Sequence, residues 1–372
     1  MGDNKIFNNN KIENKKLIVL GIESTCDETG VSVIALDHLG NHKILSNVLK
    51  TQFGKHKKYG GVVPEIAART HLSTIDVLLE QALDEAKIKV RDIDAIASSC
   101  GPGLIGGLIV GSSFGKGLSL ALDIPFIPVN HLEAHVLSPR MINKIDFPYL
   151  VLLISGGHTQ ILVIEGVGEA KRLSSTIDDS VGESFDKAAI MLNLGWPGGV
   201  AIEKAALNGD NKSIKLPRPI LGKKNTNFSF SGLKTAFYRQ SIIETLTLQR
   251  VYDLSASFQF AVADILEDKS SNIIDIVLKE NNNIKSFVVV GGVAANKMIR
   301  KRLSNLSKQK KLDVFFPPIE FCTDNGAMIA WAGIEKIKKF GLKRVNDFSF
   351  EPKPRWPLDK KADAVGLSKF AK

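Results

Sequence analysis

Residues 20–36 read LGIESTCDETGVSVIAL, in which two apolar runs enclose a short polar turn. The runs Leu17–Ile22 and Val31–Leu36 predict two buried β-strands. The same layout returns about 130 residues later, where residues 152–166 read LLISGGHTQILVIEG. We therefore predict a duplicated α/β fold whose two lobes close on a nucleotide. Two Rossmann-like domains, in which the glycines only shape turns, are the alternative.

The composition is that of a globular protein with room for two lobes. The chain has 372 residues, of which 44% are hydrophobic and 24% charged, and its net charge is +10. A basic excess favours polyanionic partners such as nucleic acid. A merely lysine-rich composition would give the same charge.

Three cysteines are too few for a disulfide framework, which predicts a reducing compartment. The polar start MGDNKIFNNNKIENKK has no apolar signal core, and we expect no run of about 18 apolar residues. These features predict a cytoplasmic protein without a membrane span.

Four segments are expected along the chain: a disordered N-terminal tail at 1–16, a first lobe at 17–146, a second lobe with the nucleotide site at 147–345, and a C-terminal tail at 346–372. A helix is predicted from Pro64 to Lys87. The glycine-rich stretch after Cys100 leads into another helix, where glycine permits close approach to a second helix or a phosphate. The phosphate loop of P-loop proteins is absent.

The stretch NHLEAHVLSPR, residues 130–140, places His131 and His135 one helical turn apart, so that both could bind one metal. A zinc protease needs a glutamate directly after the first histidine. Here Glu133 is two positions on and points away from that face. Two core histidines remain the structural alternative.

A third ligand is offered by Asp324, which lies at a predicted helix start. Two histidines and one carboxylate suit ferrous iron or zinc. Asp324 could instead cap the helix.

The turn ISGGHT is a possible anion-binding site. It offers consecutive backbone N–H groups, and its two glycines have no Cβ that would obstruct a ligand. The same letters fit a plain hairpin turn. Asp186 could accept ribose hydroxyls or pair with a neighbouring lysine, and Gly199 lies in a second Gly-Gly turn.

Ten collinear motifs resemble one family: GIESTCDETGVSVI, GGVVPEIAARTHL, GPGLIGGLIVG, NHLEAH, LISGGHTQ, GESFDKAA, PGG, FSFSGLKTA, GGVAANKMIR and CTDNGAMIA. They cover residues 17 to about 345 and resemble the tRNA N6-adenosine threonylcarbamoyltransferases, called TsaD in bacteria. The resemblance implies the actin-like, sugar-kinase-type ATPase fold.

The implied reaction moves threonylcarbamoyl from threonylcarbamoyl-AMP to the exocyclic amine of the adenosine 3′ of the anticodon, in tRNAs that read codons starting with A. The resemblance implies one divalent metal on His131, His135 and Asp324, iron in the usual description of the family, with zinc as the alternative that the sequence leaves open. It also implies contacts with the adenylate substrate or an adenine nucleotide, from Ile154, Ser155, Gly156, Gly157, His158, Asp186, Gly199 and Asn296. Asn296 could alternatively cap the following helix.

Partners are implied by the same resemblance: the tRNA anticodon stem-loop, an inactive paralogue (TsaB) and a P-loop ATPase (TsaE). Val200 and Glu203 stand where many family members have proline and aspartate, which puts a ribose contact from Glu203 in doubt.

Acyl transfer from an activated anhydride needs positioning and charge stabilisation more than a covalent nucleophile. We expect no acyl-enzyme intermediate. Asp27 and Glu28 are candidates for activating the amine. A small-molecule kinase or ATPase, or a scaffold akin to the heat-shock ATPases, is the rival function, and neither explains the paired histidines.

Overall fold

A computed structural model of the chain describes residues 16–222, 226–280 and 283–362. Residues 1–15 of the predicted N-terminal tail and 363–372 of the predicted C-terminal tail lie outside the described residues. The chain forms two compact units. The first comprises the described parts of Met1–Met141 and Thr323–Leu358, and the second those of Ile142–Cys322 and Asp359–Lys372.

Ten strands occur in the described chain: β1 Leu17–Glu23, β2 Glu28–Leu36, β3 His42–Thr51, β4 Ala95–Gly101, β5 Phe126–Asn130, β6 Tyr149–Ile154, β7 Thr159–Gly166, β8 Glu169–Ser175, β9 Ser286–Val290 and β10 Asp313–Phe315.

The α-helices of the described chain are α1 Phe53–His56, α2 Pro64–Leu72, α3 Ile75–Ala86, α4 Ile105–Leu122, α5 His131–Leu137, α6 Val181–Met191, α7 Gly198–Ala206, α8 Ser231–Ile243, α9 Leu248–Glu280, α10 Lys297–Gln309, α11 Gly326–Phe340 and α12 Leu342–Val345.

Each unit contains one five-stranded sheet, and the two sheets have the same topology. The first has the order β3-β2-β1-β4-β5, and the second, read from the opposite edge, is β8-β7-β6-β9-β10. In both, the first three strands pair antiparallel and the last two add in parallel. The predicted duplicated α/β fold is confirmed. The antiparallel pairs exclude the Rossmann-like alternative, whose sheet is mostly parallel.

The strand β2 begins three residues earlier than Val31, at Glu28. The β1–β2 ladder extends to the pair Glu23↔Gly30, and β2 pairs with β3 as far as Glu28↔Thr51. As a result, the polar residues of this hairpin lie at the end of a sheet rather than in a long loop.

The predicted helix from Pro64 to Lys87 is two helices, α2 and α3, which was not expected. Thr74 separates them, and its hydroxyl donates to the backbone oxygen of Thr70 at 2.7 Å. Ser73 donates to the same oxygen at 3.0 Å. Such bonds from side chain to backbone compete with the helical ladder and end it.

The glycine-rich helix α4 packs closely against the first hairpin. A Cβ at Gly107 would lie 2.2 Å from the backbone oxygen of Ser24, and one at Gly111 would lie 2.1 Å from its hydroxyl. A Cβ at Gly106 would lie 2.8 Å from Ala68 of α2. The predicted close approach is therefore to the hairpin and to a neighbouring helix.

The same helix corrects the expectation that no sufficiently long apolar segment exists. By length and composition alone, Ile105–Leu122 could cross a membrane. Its small residues instead face β4 and the Ser24 turn of the first unit.

The predicted lobe boundary at 146/147 also differs from the structure, because α11 and α12 belong to the first unit. Helix α11 packs on β1 and β2. Only glycine fits at the crossing, since a Cβ at Gly21 would lie 2.2 Å from the backbone oxygen of Gly326. The chain thus returns to the first sheet after completing the second.

Much of the predicted C-terminal tail packs against the first unit. Lys353 donates its backbone N–H to Cys100 at 2.8 Å, and Gly103 donates to Pro354 at 3.2 Å. The backbone oxygen of Trp356 accepts from the side-chain amide of Asn130 at 2.9 Å. Residues 346–358 therefore belong to the fold of the first unit.

Candidate metal centre and substrate-binding turn

The helix α5 begins directly after β5 and presents two histidines on one face. The side chain of Asn130 caps it by accepting from the backbone N–H groups of Leu132, at 2.9 Å, and Glu133, at 3.2 Å. His131 and His135 are both buried, and their ring centroids are 4.7 Å apart. The predicted one-turn spacing therefore brings the two imidazoles together.

Asp324 meets both histidines. Its Oδ1 lies 3.0 Å from His135 Nε2 and 3.5 Å from His131 Nε2. It is not the cap of α11, because Asn325 takes that role by accepting from the backbone N–H of Met328 at 3.0 Å. The capping alternative for Asp324 is therefore excluded.

These three side chains fit a metal ion. One donor atom from each lies within 4.8 Å of the other two. Ligands about 2.0–2.2 Å from a common ion would be separated by distances of this order. All three ligands lie in the first unit, whereas the predicted boundary had placed Asp324 in the second lobe.

The surroundings of His131 favour a cation. Its Nδ1 lies 3.0 Å from Oε2 of the fully buried Glu23 and 3.2 Å from the hydroxyl of Thr25. Burial alone would lower the pKa of His131, but the carboxylates of Asp324 and Glu23 raise it to about 9. A metal ion bound at Nε2 would satisfy the same negative potential.

Replacing Glu23 with glutamine is expected to weaken metal binding by about 10- to 100-fold, because the carboxylate that orients the His131 ring is lost. Metal affinity of the purified chain, measured by competition with a chelator, checks this. Glu65→Gln, on an exposed turn of α2, is the matched control and should leave the affinity unchanged. Equal affinities for the Glu23 variant and the unaltered chain would contradict the assigned role.

Glu133 does not serve as a protease base in this arrangement. It is buried, and its Oε2 lies 3.4 Å from Lys336 Nζ of α11. The carboxylate therefore forms an ion pair inside the first unit, which removes the basis for the metalloprotease reading.

Asp27 and Glu28 are buried rather than exposed, contrary to what two adjacent loop carboxylates suggest. Burial raises the pKa of Asp27, and the negative charge of Asp324 raises it further. Burial raises the pKa of Glu28 well above its usual value, with further contributions from Asp27 and Asp324. Because the pKa of each carboxyl is raised, this pair retains a proton more readily than free carboxyls do.

The ISGGHT turn closes the β6–β7 hairpin. Ser155 donates its backbone N–H to His158 at 2.8 Å, and His158 donates to the Ser155 hydroxyl at 3.1 Å. Both N–H groups are thus used within the turn. The N–H groups that this turn leaves for an anion, in the described chain, are those of the exposed Gly156 and Gly157.

Helix α6 begins against the same turn. The backbone N–H of Gly182 donates to Ser155 at 3.2 Å, and the cap Ser180 donates to the backbone oxygen of Gly156. A Cβ at Gly182 would lie 2.6 Å from the Ser155 oxygen. Ile154, just before the turn, is similarly close to Gly291, whose φ is +94°. Two close backbone approaches therefore fix the geometry of the turn.

Asp186 lies against the start of α7, where Gly198 and Gly199 form the Gly-Gly turn. Asp186 accepts from the backbone N–H of Gly198 at 2.7 Å, while no atom lies within 4 Å of a Cβ built at Gly199. Lys187 pairs instead with Glu183 at 2.6 Å. Asp186 thus holds the Gly-Gly turn, and its ribose contact stays a prediction.

Asn296 caps α10, as its alternative reading proposed. Its Oδ1 accepts from the backbone N–H of Ile299 at 3.1 Å, and its Nδ2 donates to Gln259 at 2.6 Å. Glu203 accepts from the backbone N–H of Lys297 at 2.7 Å, so it supports the same helix start. A substrate contact from Asn296 stays a prediction.

Comparison with known proteins identifies the family of the chain. The family model described as TsaD, tRNA N6-adenosine threonylcarbamoyltransferase, matches residues 43–331. A protein of that name from Pelagibacter ubique is 50% identical over 355 residues, which cover 95% of this chain and 98% of the relative. The chain belongs to the TsaD family. The Brucella suis relative is 48% identical over 351 residues, which cover 93% of this chain and 97% of its own.

The fold is shared more widely than the family. The crystal structure of T. kodakarensis HypF aligns with a TM-score of 0.57 at 15% identity, covering 88% of this chain and 48% of that one. A phosphate- and nucleotide-bound HypF aligns with a TM-score of 0.56 at 13% identity, with 47% of its length covered. The chain thus spans about half the length of these structures. The likeness confirms the actin-like, sugar-kinase-type fold.

As a TsaD family member, the chain is an acyltransferase that modifies tRNA. Some supporting residues of its site were not predicted from the sequence. His71 Nε2 lies 3.0 Å from the backbone oxygen of Cys26, and its Nδ1 lies 2.8 Å from the Thr29 hydroxyl. This contact holds the turn that carries Asp27 and Glu28. The GGVVPEIAARTHL motif ends in His71-Leu72, and this match to the family motif is the only sequence signal that could have indicated the supporting role of His71.

Asp178 was also missed in this TsaD chain. Its carboxylate accepts from the hydroxyls of Ser229, at 2.6 Å, and Ser231, at 2.7 Å. Burial alone would raise the pKa of Asp178, but these hydrogen bonds lower it below its usual value. Two serines of the FSFSGLKTA motif are thereby fixed at the start of α8.

Proposed function

We propose that the chain transfers threonylcarbamoyl from threonylcarbamoyl-AMP to N6 of the adenosine 3′ of the anticodon, in tRNAs reading codons that begin with A. The observation that carries this proposal is the cluster of His131, His135 and Asp324 next to the buried carboxyl pair. The donor set fits one divalent metal, iron by family resemblance, with zinc accepted by the same ligands. Bound there, the metal would supply charge neutralisation for phosphate oxygens.

The residues of the chain supply positioning and proton acceptance. The N–H groups of Gly156 and Gly157 are proposed to bind the phosphate of the adenylate, and Ile154, Ser155 and His158 to shape that turn. Asp186 and Gly199 would contact the ribose side, and Asn296 would hold α10 beside it. Such fixed donors lower the barrier of acyl transfer without a covalent enzyme intermediate.

The proton balance assigns a role to Asp27 and Glu28. The N6 amine attacks the carbamoyl carbon, a new N–C bond forms, and the anhydride C–O bond breaks to release AMP. One proton of the amine must leave. We propose that Glu28, in its ionised form and beside Asp27, accepts it, because its raised pKa makes it a better base than an exposed carboxylate.

The family membership supports a proposal for partners and compartment. We propose that the anticodon stem-loop of tRNA is the acceptor, and that TsaB-type and TsaE-type proteins act with this chain in the cytoplasm. A small-molecule kinase or ATPase would hold magnesium on carboxylates and would not need two histidines. A scaffold akin to the heat-shock ATPases would leave the histidines equally unexplained.

Reconstitution tests this function directly. The chain, TsaB-type and TsaE-type proteins, tRNA, and threonylcarbamoyl-AMP generated from threonine, bicarbonate and ATP are combined, and nucleosides are analysed by mass spectrometry. We expect threonylcarbamoyladenosine to accumulate and no covalent threonylcarbamoyl-protein to form. ATP turnover without modified nucleoside would favour the kinase or ATPase reading. A trapped acyl-protein would refute direct transfer.

A further inference from the structure

A short basic segment of the first unit carries no role in the function proposed above. It comprises residues 55–59, KHKKY, and is called the basic turn here. Lys55 lies in the last turn of α1, and Lys57–Tyr59 form a 3₁₀ turn. Lys55, Lys57 and Lys58 are exposed, and Tyr59 is 54% exposed although it is a large aromatic residue.

The basic turn has a defined conformation. His56 is fully buried, its Nε2 lies 3.2 Å from the side-chain oxygen of Gln52, and its Nδ1 accepts from the backbone N–H of Val63 at 3.3 Å. Gly60 ends the turn with φ of 69°, and its N–H donates to Lys57 at 3.2 Å. The exposed side chains therefore stand on a fixed backbone, with their only histidine turned inward.

Gln52, which contacts His56 of the basic turn, also connects this turn to the proposed reaction site. The backbone N–H of Gln52 donates to the backbone oxygen of Asp27 at 3.0 Å. Tyr59 follows Gln52 by seven positions through α1 and the 3₁₀ turn, a span of at most about 10–14 Å. A ligand held by the basic turn would thus lie within a few nucleotide lengths of the carboxyl pair.

The chemistry of the basic turn matches single-stranded RNA. In the described part of the chain, neither Lys57 nor Lys58 forms an ion pair with a carboxylate. Lys58 Nζ lies 4.8 Å from the centre of the Tyr59 ring, which places positive charge next to an exposed aromatic face. Lysines that contact phosphates and an aromatic ring that stacks on an unpaired base are the usual combination at such surfaces.

We propose that the basic turn binds the anticodon loop of the substrate RNA. Tyr59 stacks on an unpaired base close to the target adenosine, and Lys57 and Lys58 contact the adjoining phosphates. This inference rests on the proposed function and names its RNA-binding surface. An acidic protein surface is the other partner that such a turn could attract, and it is distinguished by the experiment.

The test measures binding of a fluorescent anticodon stem-loop RNA to the full chain by anisotropy, at several salt concentrations. Tyr59→Ala is expected to lower the affinity roughly tenfold through lost stacking, and Tyr59→Phe to retain it. The double variant Lys57→Gln/Lys58→Gln is expected to bind roughly tenfold more weakly and to reduce the slope of log affinity against log salt by about 1.4.

The matched control is Lys43→Gln/Lys87→Gln, which removes the same charge from exposed positions of the same unit. Lys43 is the second residue of β3, the strand that leads to the basic turn, and lies about 30 Å from Gln52 along the chain. The control should keep nearly full affinity. An equal loss in both double variants would show a general charge effect and overturn the proposal, as would no measurable RNA binding by the unaltered chain.

Two further outcomes separate this inference from the proposed function. If the unaltered chain forms threonylcarbamoyladenosine while the Tyr59 and lysine variants bind RNA normally, the basic turn is not the RNA surface and the function stands. If those variants bind RNA normally but no longer associate with a TsaB-type protein, the surface binds an acidic protein instead. Failure of the unaltered chain to modify RNA counts against the function itself.

Discussion

Replacing His131 with alanine is expected to lower formation of threonylcarbamoyladenosine by at least about 10³-fold and to remove the bound metal. The imidazole lies 3.5 Å from Asp324 and 3.0 Å from Glu23, so its loss removes one of three ligands and separates the ligand set from its buried supporting carboxylate. Charge stabilisation by a catalytic metal is worth several kcal/mol, and each 1.36 kcal/mol is tenfold in rate. Nucleoside mass spectrometry and metal analysis of the same preparation measure the two losses.

Two variants serve as controls for this prediction. His38→Ala changes an exposed histidine of the same unit and should alter neither quantity. Glu133→Gln changes a residue on the ligand helix that pairs with Lys336, and it should retain metal and most of the transfer activity. A His131 variant that keeps its metal and full activity, with an unchanged thermal unfolding temperature, would contradict the metal centre.

The second large effect is expected for Glu28→Gln, which should reduce transfer by about 10²- to 10⁴-fold, the usual contribution of a general base. The substitution keeps the size of the side chain but removes its ability to accept a proton. RNA affinity and metal content should be unchanged, because Glu28 is assigned to neither. Single-turnover transfer rates with preformed threonylcarbamoyl-AMP measure the effect on the chemical step.

The same Glu28→Gln variant, although less active, should be as stable as the unaltered chain or more stable. Burial raises the pKa of Glu28 well above its usual value, so the folded chain binds this proton more tightly than the unfolded chain. The stability contributed by the proton is present at low pH and is lost as pH rises through the raised pKa. At neutral pH, Glu28→Gln should therefore unfold at a temperature equal to or higher than that of the unaltered chain. Inactivity together with a lower unfolding temperature would indicate damage to the fold instead.

The parts of the candidate site that could be predicted from the sequence are those set by residues close together in the chain. The i, i+4 spacing of His131 and His135 is a property of one helical turn, and the structure places both imidazoles as the spacing predicts. The sequence could not show whether Asp324 or Asn325 caps α11, because aspartate and asparagine are equally good caps. The structure decides it by the direction in which each side chain turns. Glu23 was not expected as a supporting residue, because at the end of an apolar strand nothing in the sequence shows what it contacts.

For the fold, the sequence by itself determined the two strand–turn–strand repeats and hence the duplicated α/β architecture, because hydrophobic periodicity and glycine turns act over a few residues. The sequence offered Asp324 as a third ligand, but only the tertiary structure decided that it contacts His135, 189 residues away, and that it belongs to the first unit. That pairing depends on α11 packing on β1 where Gly21 and Gly326 meet, which no local pattern encodes. Burial of Asp27 and Glu28 beside it followed from the same packing.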